Sequence, residues 1–508
     1  MSAASAALGK VAGGTLPSGT GAPARRAPVS APLADRVIGV YGSGGSPWHH
    51  LALAAARGAS VRVVRAEDVF EGRLDELDVL VMPGGGARAM AGLLQPLGDA
   101  GAERLRQWVE GGGTYVSSCA GSVLPLALAG AADEANPAAR RLRMLDVGLA
   151  NTGDATLGGL SSPGVGRIRV RLAPERARDS ELPPVVELVH YNGPLFATAL
   201  LGSSAVRPFA WPIGTTPAFT EAERFLCGAE TGQTTFQRCI AMEAATAIEA
   251  DVGTGRAVLF GSHPEFGTGS LLLGWNDGAE MLTAALAGAR EPAATRAGRA
   301  PTAGAAWRVQ PEQAGAEPGQ LAHLAADSLR RAAQRFEHLG SDGVSTSAAD
   351  WLAPDMAARF HGVDAATAWR RDTRAAAVAA TCAASQLLRL ESLLDAHDMP
   401  WLDDAPRPDQ DFGYLGLSQL VAAIHGMLDG AEQALLREPR KPRHAYDLFD
   451  SHPFHLAVGS YLSAAGLTAG ALLLSALLAF RHGATTADSE ALLWAAPRPD
   501  DPSQGEDA

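Results

Sequence analysis

From Arg36 onward the chain alternates short apolar runs with stretches of helical periodicity. Val37-Ile38-Gly39-Val40-Tyr41 ends in a glycine-rich turn over Gly42 to Ser46, and Pro47 to Arg57 reads as a helix with proline well placed at its start. Val61 to Val64 and Val79 to Met82 are further apolar runs, the second leading into Pro83-Gly84-Gly85-Gly86. A helical segment from Asp99 to Glu110 stops at Gly111-Gly112-Gly113, and Thr114-Tyr115-Val116 is the next strand. Short apolar strands separated by helices predict an α/β fold, a doubly wound and mostly parallel sheet covered on both faces. The stretch from about residue 131 to 250 is less regular, with two strands expected at Arg167–Arg171 and Val185–Val189. Regularity resumes at Ala257-Val258-Leu259-Phe260, which runs into Gly261-Ser262-His263, and a helix from Asp277 to Ala287 closes the domain.

The second half has a different texture. Residues 291–319 have the Ala, Gly, Pro, Glu and Gln composition of a linker. Leu321 to His338, Ala366 to His397 and Leu417 to Arg437 carry helical patterning without strand signals. The expected organisation is a disordered leader over 1–34, an α/β domain over 35–290, the linker, an all-α domain over 320–483 and a disordered tail over 484–508. The leader has no apolar core behind basic residues, so it does not read as a signal peptide. Leu456 to Phe480 is 25 residues without a formal charge, long enough to span a bilayer. Its many Ser, Thr, Gly and Ala residues favour a buried helix of the C-terminal bundle, with a membrane anchor as the alternative.

Length and charge narrow the function classes. A chain of 508 residues exceeds a single core, and a net charge of −13 argues against nucleic acid as the main partner. The four cysteines, Cys119, Cys227, Cys239 and Cys382, form neither a metal-type pair nor a secreted framework, which points to reduced thiols in a cytoplasmic protein. His452, His455, Asp447 and Asp450 are too loosely spaced for a metal centre, and Pro453 interrupts any helical face there, so no metal or cofactor is expected. Trp351, Trp369 and Trp401 read as core or interface anchors.

Candidate chemistry is concentrated in three places. Cys119 lies where an apolar strand should pass into a helix, in Ser117-Ser118-Cys119-Ala120-Gly121. Such an elbow pushes the side chain out of the backbone, and a following helix start favours the thiolate. His263 ends a late strand in Gly261-Ser262-His263-Pro264-Glu265, where Glu265 can orient the imidazole, the arrangement of a generalised triad. Pro83-Gly84-Gly85-Gly86 offers backbone N–H groups that, with the amide of Ala120, could form an oxyanion hole, or it is an ordinary tight turn.

The order of a glycine loop, a cysteine elbow and His-Pro-Glu resembles the class I glutamine amidotransferase superfamily. More narrowly, Val40-Tyr41-Gly42-Ser43-Gly44, Met82-Pro83-Gly84-Gly85-Gly86, Cys119-Ala120-Gly121 and Tyr191-Asn192-Gly193-Pro194 are similar to the N-terminal domain of certain biotin–protein ligases. The resemblance covers about half the chain, and no ligase catalytic domain is evident. It implies a flavodoxin-like sheet with Cys119 as nucleophile, His263 as general base and acid and Glu265 as the orienting acid. Gly85, Gly86 and Ala120 would hold the oxyanion, and Tyr191 and Asn192 would line the substrate side unless they are a plain polar turn. His190, at a strand end, reads as structural. The substrate implied is a small amide or acyl compound, with a partner subunit to accept ammonia if glutamine is cleaved. Two departures stand out: Ser117 replaces the usual glycine of the elbow, and Val123 occupies the place of a substrate-holding glutamine. The second leaves two functions open, a cysteine-dependent enzyme or a binding and regulatory module without turnover.

Overall fold

The computed structural model describes residues 32–45, 47–84, 89–126, 142–151, 164–191, 193–197, 205–216, 219, 233–266, 277–289, 318–344, 365–390 and 417–436, with positions 464, 468 and 471. The expected leader up to residue 31, the expected linker of 291–319 up to residue 317, the tail and most of 456–480 lie outside these residues.

Nine strands form one sheet: β1 (Val37–Tyr41), β2 (Ser60–Val64), β3 (Val79–Met82), β4 (Thr114–Ser118), β5 (Val165–Leu172), β6 (Val185–Tyr191), β7 (Val206–Thr215), β8 (Ala247–Val252) and β9 (Gly255–Phe260). Their spatial order is β2-β1-β3-β4-β9-β8-β7-β5-β6. The block β2-β1-β3-β4-β9 is wholly parallel, as the apolar runs predict. From β9 outward every pairing is antiparallel.

Strand alternation divides the parallel block between two apolar layers. Ile38, Val40, Val81, Val116 and Val258 belong to the layer built with α1 (Trp48–Ala56) and α6 (Asp277–Ala287). Tyr41, Leu80, Met82, Tyr115 and Leu259 belong to the opposite layer, with α2 (Ala66–Phe70) and α3 (Ala89–Glu110). The sheet is therefore doubly wound, with β4 and β9 at its centre buried on both faces. The helix expected from Asp99 is the second of two helical pieces in α3, which meet at a kink where Gly98 has φ 54.

The two strands β7 and β8 are not foreseen by the sequence pattern. Pro208 and Pro212 interrupt β7, and its register shifts between Pro208 and Ala210, so its alternation is blurred. The extension also carries two short helices, α4 (Pro174–Asp179) and α5 (Thr235–Ala241). Glu249 of β8 ties it together, accepting from Arg176 at 2.8 Å, Arg207 at 3.1 Å and Arg256 at 2.5 Å.

The second half is helical, as expected. α7 (Pro318–Leu339) packs on α8 (Ala365–Leu390) and α9 (Leu417–Leu435) through fully buried Leu329, Phe336, Leu387 and Leu428. Arg335 of α7 donates to Asp429 at 2.5 Å and Glu432 at 3.1 Å on α9. Within 456–480, Ala464, Thr468 and Ala471 are helical and buried. Among the described residues no helix is long and apolar enough to cross a membrane.

Candidate active site

Cys119 follows the last residue of β4, and His263 lies three residues past the end of β9, the neighbouring parallel strand. Both therefore sit at the carboxyl edge of the sheet's centre, where open α/β sheets place ligands. Cys119 is half-buried and has φ 48, one of three non-glycine residues with positive φ among those described. That left-handed conformation is costly for a residue with a Cβ and is the backbone signature of an elbow. The chain then makes one 3₁₀ turn, Cys119–Ser122, rather than the helix the sequence suggests within the described residues.

Small residues allow the elbow to sit where it does. A Cβ on Gly121 would lie 2.3 Å from the carbonyl oxygen of Met82, so the elbow packs directly on the strand end that begins the glycine loop. A Cβ on Gly84 would stand 3.1 Å from His263 Cε1 and 3.5 Å from Cys119 Cβ. Gly84 thus borders the space between Cys119 and His263. Gly85 and Gly86 lie outside the described residues, as does Asn192. Ala120 is buried beside the sulfur-bearing residue.

His263 and Glu265 meet as expected, with Nδ1 and Oε1 at 2.8 Å and both side chains buried. The contact arises in a turn after the strand, the backbone N–H of His263 donating to Val189 O of β6 at 2.8 Å. Burial pulls the imidazole of His263 down, but Cys119 and Glu265 outweigh it and hold the group up at about 10. Burial pushes the Glu265 carboxyl up, yet His50 and His263 facing it bring it down to about 2. The pair is therefore imidazolium and carboxylate at neutral pH. Nε2 of His263 is buried without a hydrogen-bond partner, and Sγ of Cys119 faces Tyr191 O at 3.7 Å. Tyr191 thus meets the sulfur through its carbonyl.

Several site residues escape sequence reasoning. The ring of Phe266 stacks on His263 at 4.4 Å and 3°, fixing the imidazole plane. Asn151, fully buried, donates to Gly193 O at 3.1 Å and accepts from Leu195 N at 2.8 Å, pinning the segment after β6. Ser118 and His50 reach Glu265 from behind. Phe266, Asn151 and His50 belong to no motif in the sequence, and Ser118, although within the elbow, carries no sign there of its contact with Glu265. His190 is fully buried, its ring 6.3 Å from Phe219 and 6.0 Å from Phe236. Val123 is buried in the apolar layer that includes Tyr115 and Leu124. Among the described residues no group of three or more His, Cys, Asp or Glu could hold a metal ion.

No protein-family model matches the chain, and no curated protein does. Among solved structures it is similar to a candidate GMP synthase subunit from Thermoplasma acidophilum, 12% identical over 49% of this chain and 92% of the other, with a TM-score of 0.29. The glutaminase domain of a Trypanosoma brucei CTPS with bound acivicin is 14% identical over 50% of this chain and 95% of the other, with a TM-score of 0.31. A cytoplasmic protein from Salmonella typhimurium is 11% identical over 49% and 97%, with a TM-score of 0.28. Likenesses this distant do not bear on the chemistry, for which the geometry above is the basis.

Proposed function

We propose that the α/β domain is a cysteine-dependent enzyme of the amidotransferase-like type, acting on an amide or related acyl bond of a small molecule. The observation that carries this reading is Cys119 at φ 48 beside a buried His263 whose Nδ1 is 2.8 Å from Glu265. The thiolate of Cys119 adds to the carbonyl carbon, forming a C–S bond and an oxyanion. The amide of Ala120, with Gly85 or Gly86, would receive that oxyanion. His263 gives its Nε2 proton to the leaving nitrogen as the C–N bond breaks, leaving a thioester on Cys119. Neutral His263 then takes a proton from water, whose oxygen attacks the thioester; the C–S bond breaks and thiolate and imidazolium are restored. Glu265 keeps Nδ1 protonated throughout, so that Nε2 is the nitrogen that exchanges protons. Tyr191 and Asn192 would bound the substrate side, and glutamine as substrate would require a partner that accepts ammonia.

Val123 favours a second reading, a ligand-binding or regulatory module without turnover. Its burial in the apolar layer leaves that position without the polar side chain that would hold a glutamine substrate. One experiment separates the two. Intact protein is incubated with cell extract, and acyl adducts on Cys119 are sought by peptide mass spectrometry. The enzymatic reading expects an adduct that Cys119→Ala abolishes and that forms far more slowly in His263→Ala. A Cys119 that carries no adduct and reacts with iodoacetamide no faster than free cysteine would leave the binding reading in place.

A further inference from the structure

We infer that His50 and Ser118 are positioning residues that hold Glu265 in place, extending the triad by two buried side chains into a chain of five residues. The inference rests on the proposed reactive role of Cys119 for its functional meaning, but its geometry stands apart from any substrate.

His50 lies on α1 and Ser118 ends β4, so the chain joins a covering helix, the central strand and the loop after β9. The Ser118 hydroxyl donates to Glu265 Oε1 at 3.0 Å, the same oxygen that His263 Nδ1 contacts at 2.8 Å. A hydroxyl has one proton. Towards His50 the Ser118 oxygen must therefore accept, and His50 Nε2, 3.2 Å away, must be the donor. That fixes the His50 tautomer with its proton on Nε2, and its Nδ1 is left buried without a partner. His50 Nε2 also lies 3.6 Å from Glu265 Oε2, so its N–H dipole faces the outer carboxylate oxygen as well. Burial pushes the His50 ring below its ordinary range, against the pull of Glu265 and with the help of His263, so His50 works here as a neutral donor.

The arrangement does something His263 alone could not. A carboxylate held by one partner can swing about its terminal torsion, which is broad. A second donor on a strand residue removes that freedom, since the backbone of Ser118 is locked in register with Phe260 on β9. Ser118 also directly precedes Cys119, so the elbow that aims the sulfur and the group that orients the imidazole are coupled through one residue. His50 and Ser118 are almost wholly buried, which strengthens hydrogen bonds to a charge and makes them expensive to lose.

The test is a double-mutant cycle on the full chain, read as the rate of Cys119 alkylation by iodoacetamide near neutral pH, located by peptide mapping. Ser118→Ala and His50→Leu should each slow alkylation roughly tenfold, the effect of one hydrogen bond to a charged group. His50→Gln, which keeps an N–H donor, should recover most of the loss. In a Glu265→Gln background Ser118→Ala should change the rate by less than about twofold, because the charge it serves is gone. An equal slowing in both backgrounds, or no slowing in the parent, overturns the inference. Urea unfolding of the same proteins separates this from failure of the proposed activity. If the parent thiol reacts no faster than free cysteine, the enzymatic reading falls. The chain of contacts is then judged by the unfolding midpoints: non-additive effects of Ser118→Ala and Glu265→Gln uphold it, and additive ones overturn it.

Discussion

Replacing Glu265 by glutamine removes a charge while keeping the shape and an oxygen that can still accept from His263. In the parent, His263 is held at about 10 against an ordinary 6.5, and Cys119 and Glu265 both contribute to that rise. The whole interval corresponds to roughly 5 kcal/mol at about 1.4 kcal/mol per pH unit. Because the rise has two sources, loss of Glu265 alone should cost about 2–3 kcal/mol, somewhat below the roughly 3–5 kcal/mol of a buried ion pair with no other partner. The pH dependence has a definite sign. His263 has its folded value raised, so its contribution is complete below 6.5 and is lost as pH climbs through about 10. Glu265 has its folded value depressed, so its contribution is complete above 4.5 and is lost as pH falls through about 2. The parent should therefore exceed Glu265→Gln in stability most between 4.5 and 6.5, and the difference should shrink steadily towards pH 10. Urea unfolding of both full chains at about pH 5.5, 7.5 and 9.5 measures this. A difference that is constant over that range, or that grows at alkaline pH, would refute the ion-pair account of the site.

Two further outcomes follow from the same geometry. Gly121→Ala places a methyl 2.3 Å from Met82 O, so the elbow must retreat by about 1 Å to reach ordinary contact; alkylation of Cys119 should fall roughly a hundredfold while far-UV circular dichroism is unchanged. His190→Leu exchanges a buried ring with no hydrogen-bond partner for an apolar side chain and should raise stability by about 1 kcal/mol at neutral pH, measured by urea unfolding. Burial, with His263 nearby, pushes His190 down to about 3 from 6.5, so its unfolded form takes up protons first; the advantage of the variant should grow as pH falls from 6.5 towards 3.

The legible part of this protein is the part in which local pattern and tertiary role agree. β1, β3, β4 and β9 are mostly buried strands built around apolar runs, and their boundaries in the chain come within two residues of those in the fold. Cys119 and the His263–Glu265 pair stand out in the sequence because they follow the ends of such runs. β7 does not, since its two prolines and its register shift remove the period on which strand recognition depends. Ser118 and His50 were invisible for a different reason. A serine next to a cysteine and a histidine in a helix have no local signature, and their meaning depends on an atom of residue 265 that the chain brings back from far downstream.

The same contrast explains why two motifs that look independent in the sequence belong to one structure. Tyr191-Asn192-Gly193-Pro194 leaves the antiparallel extension, and Gly261-Ser262-His263 leaves the parallel block. A Cβ on Gly193 would lie 1.8 Å from Gly261 O, and a Cβ on Gly261 would lie 1.9 Å from Pro194 O. Two backbones therefore touch where no side chain larger than hydrogen fits, which is the physical reason for a glycine in each motif. Around that crossing, Val189 O takes the His263 N–H and Tyr191 O faces the Cys119 sulfur. The parallel block supplies Cys119 and His263, but strand β6 of the extension holds the His263 backbone through Val189 O and sets Tyr191 O against the thiol. The contacts around Cys119 and His263 thus lie at the junction between the two halves of the sheet.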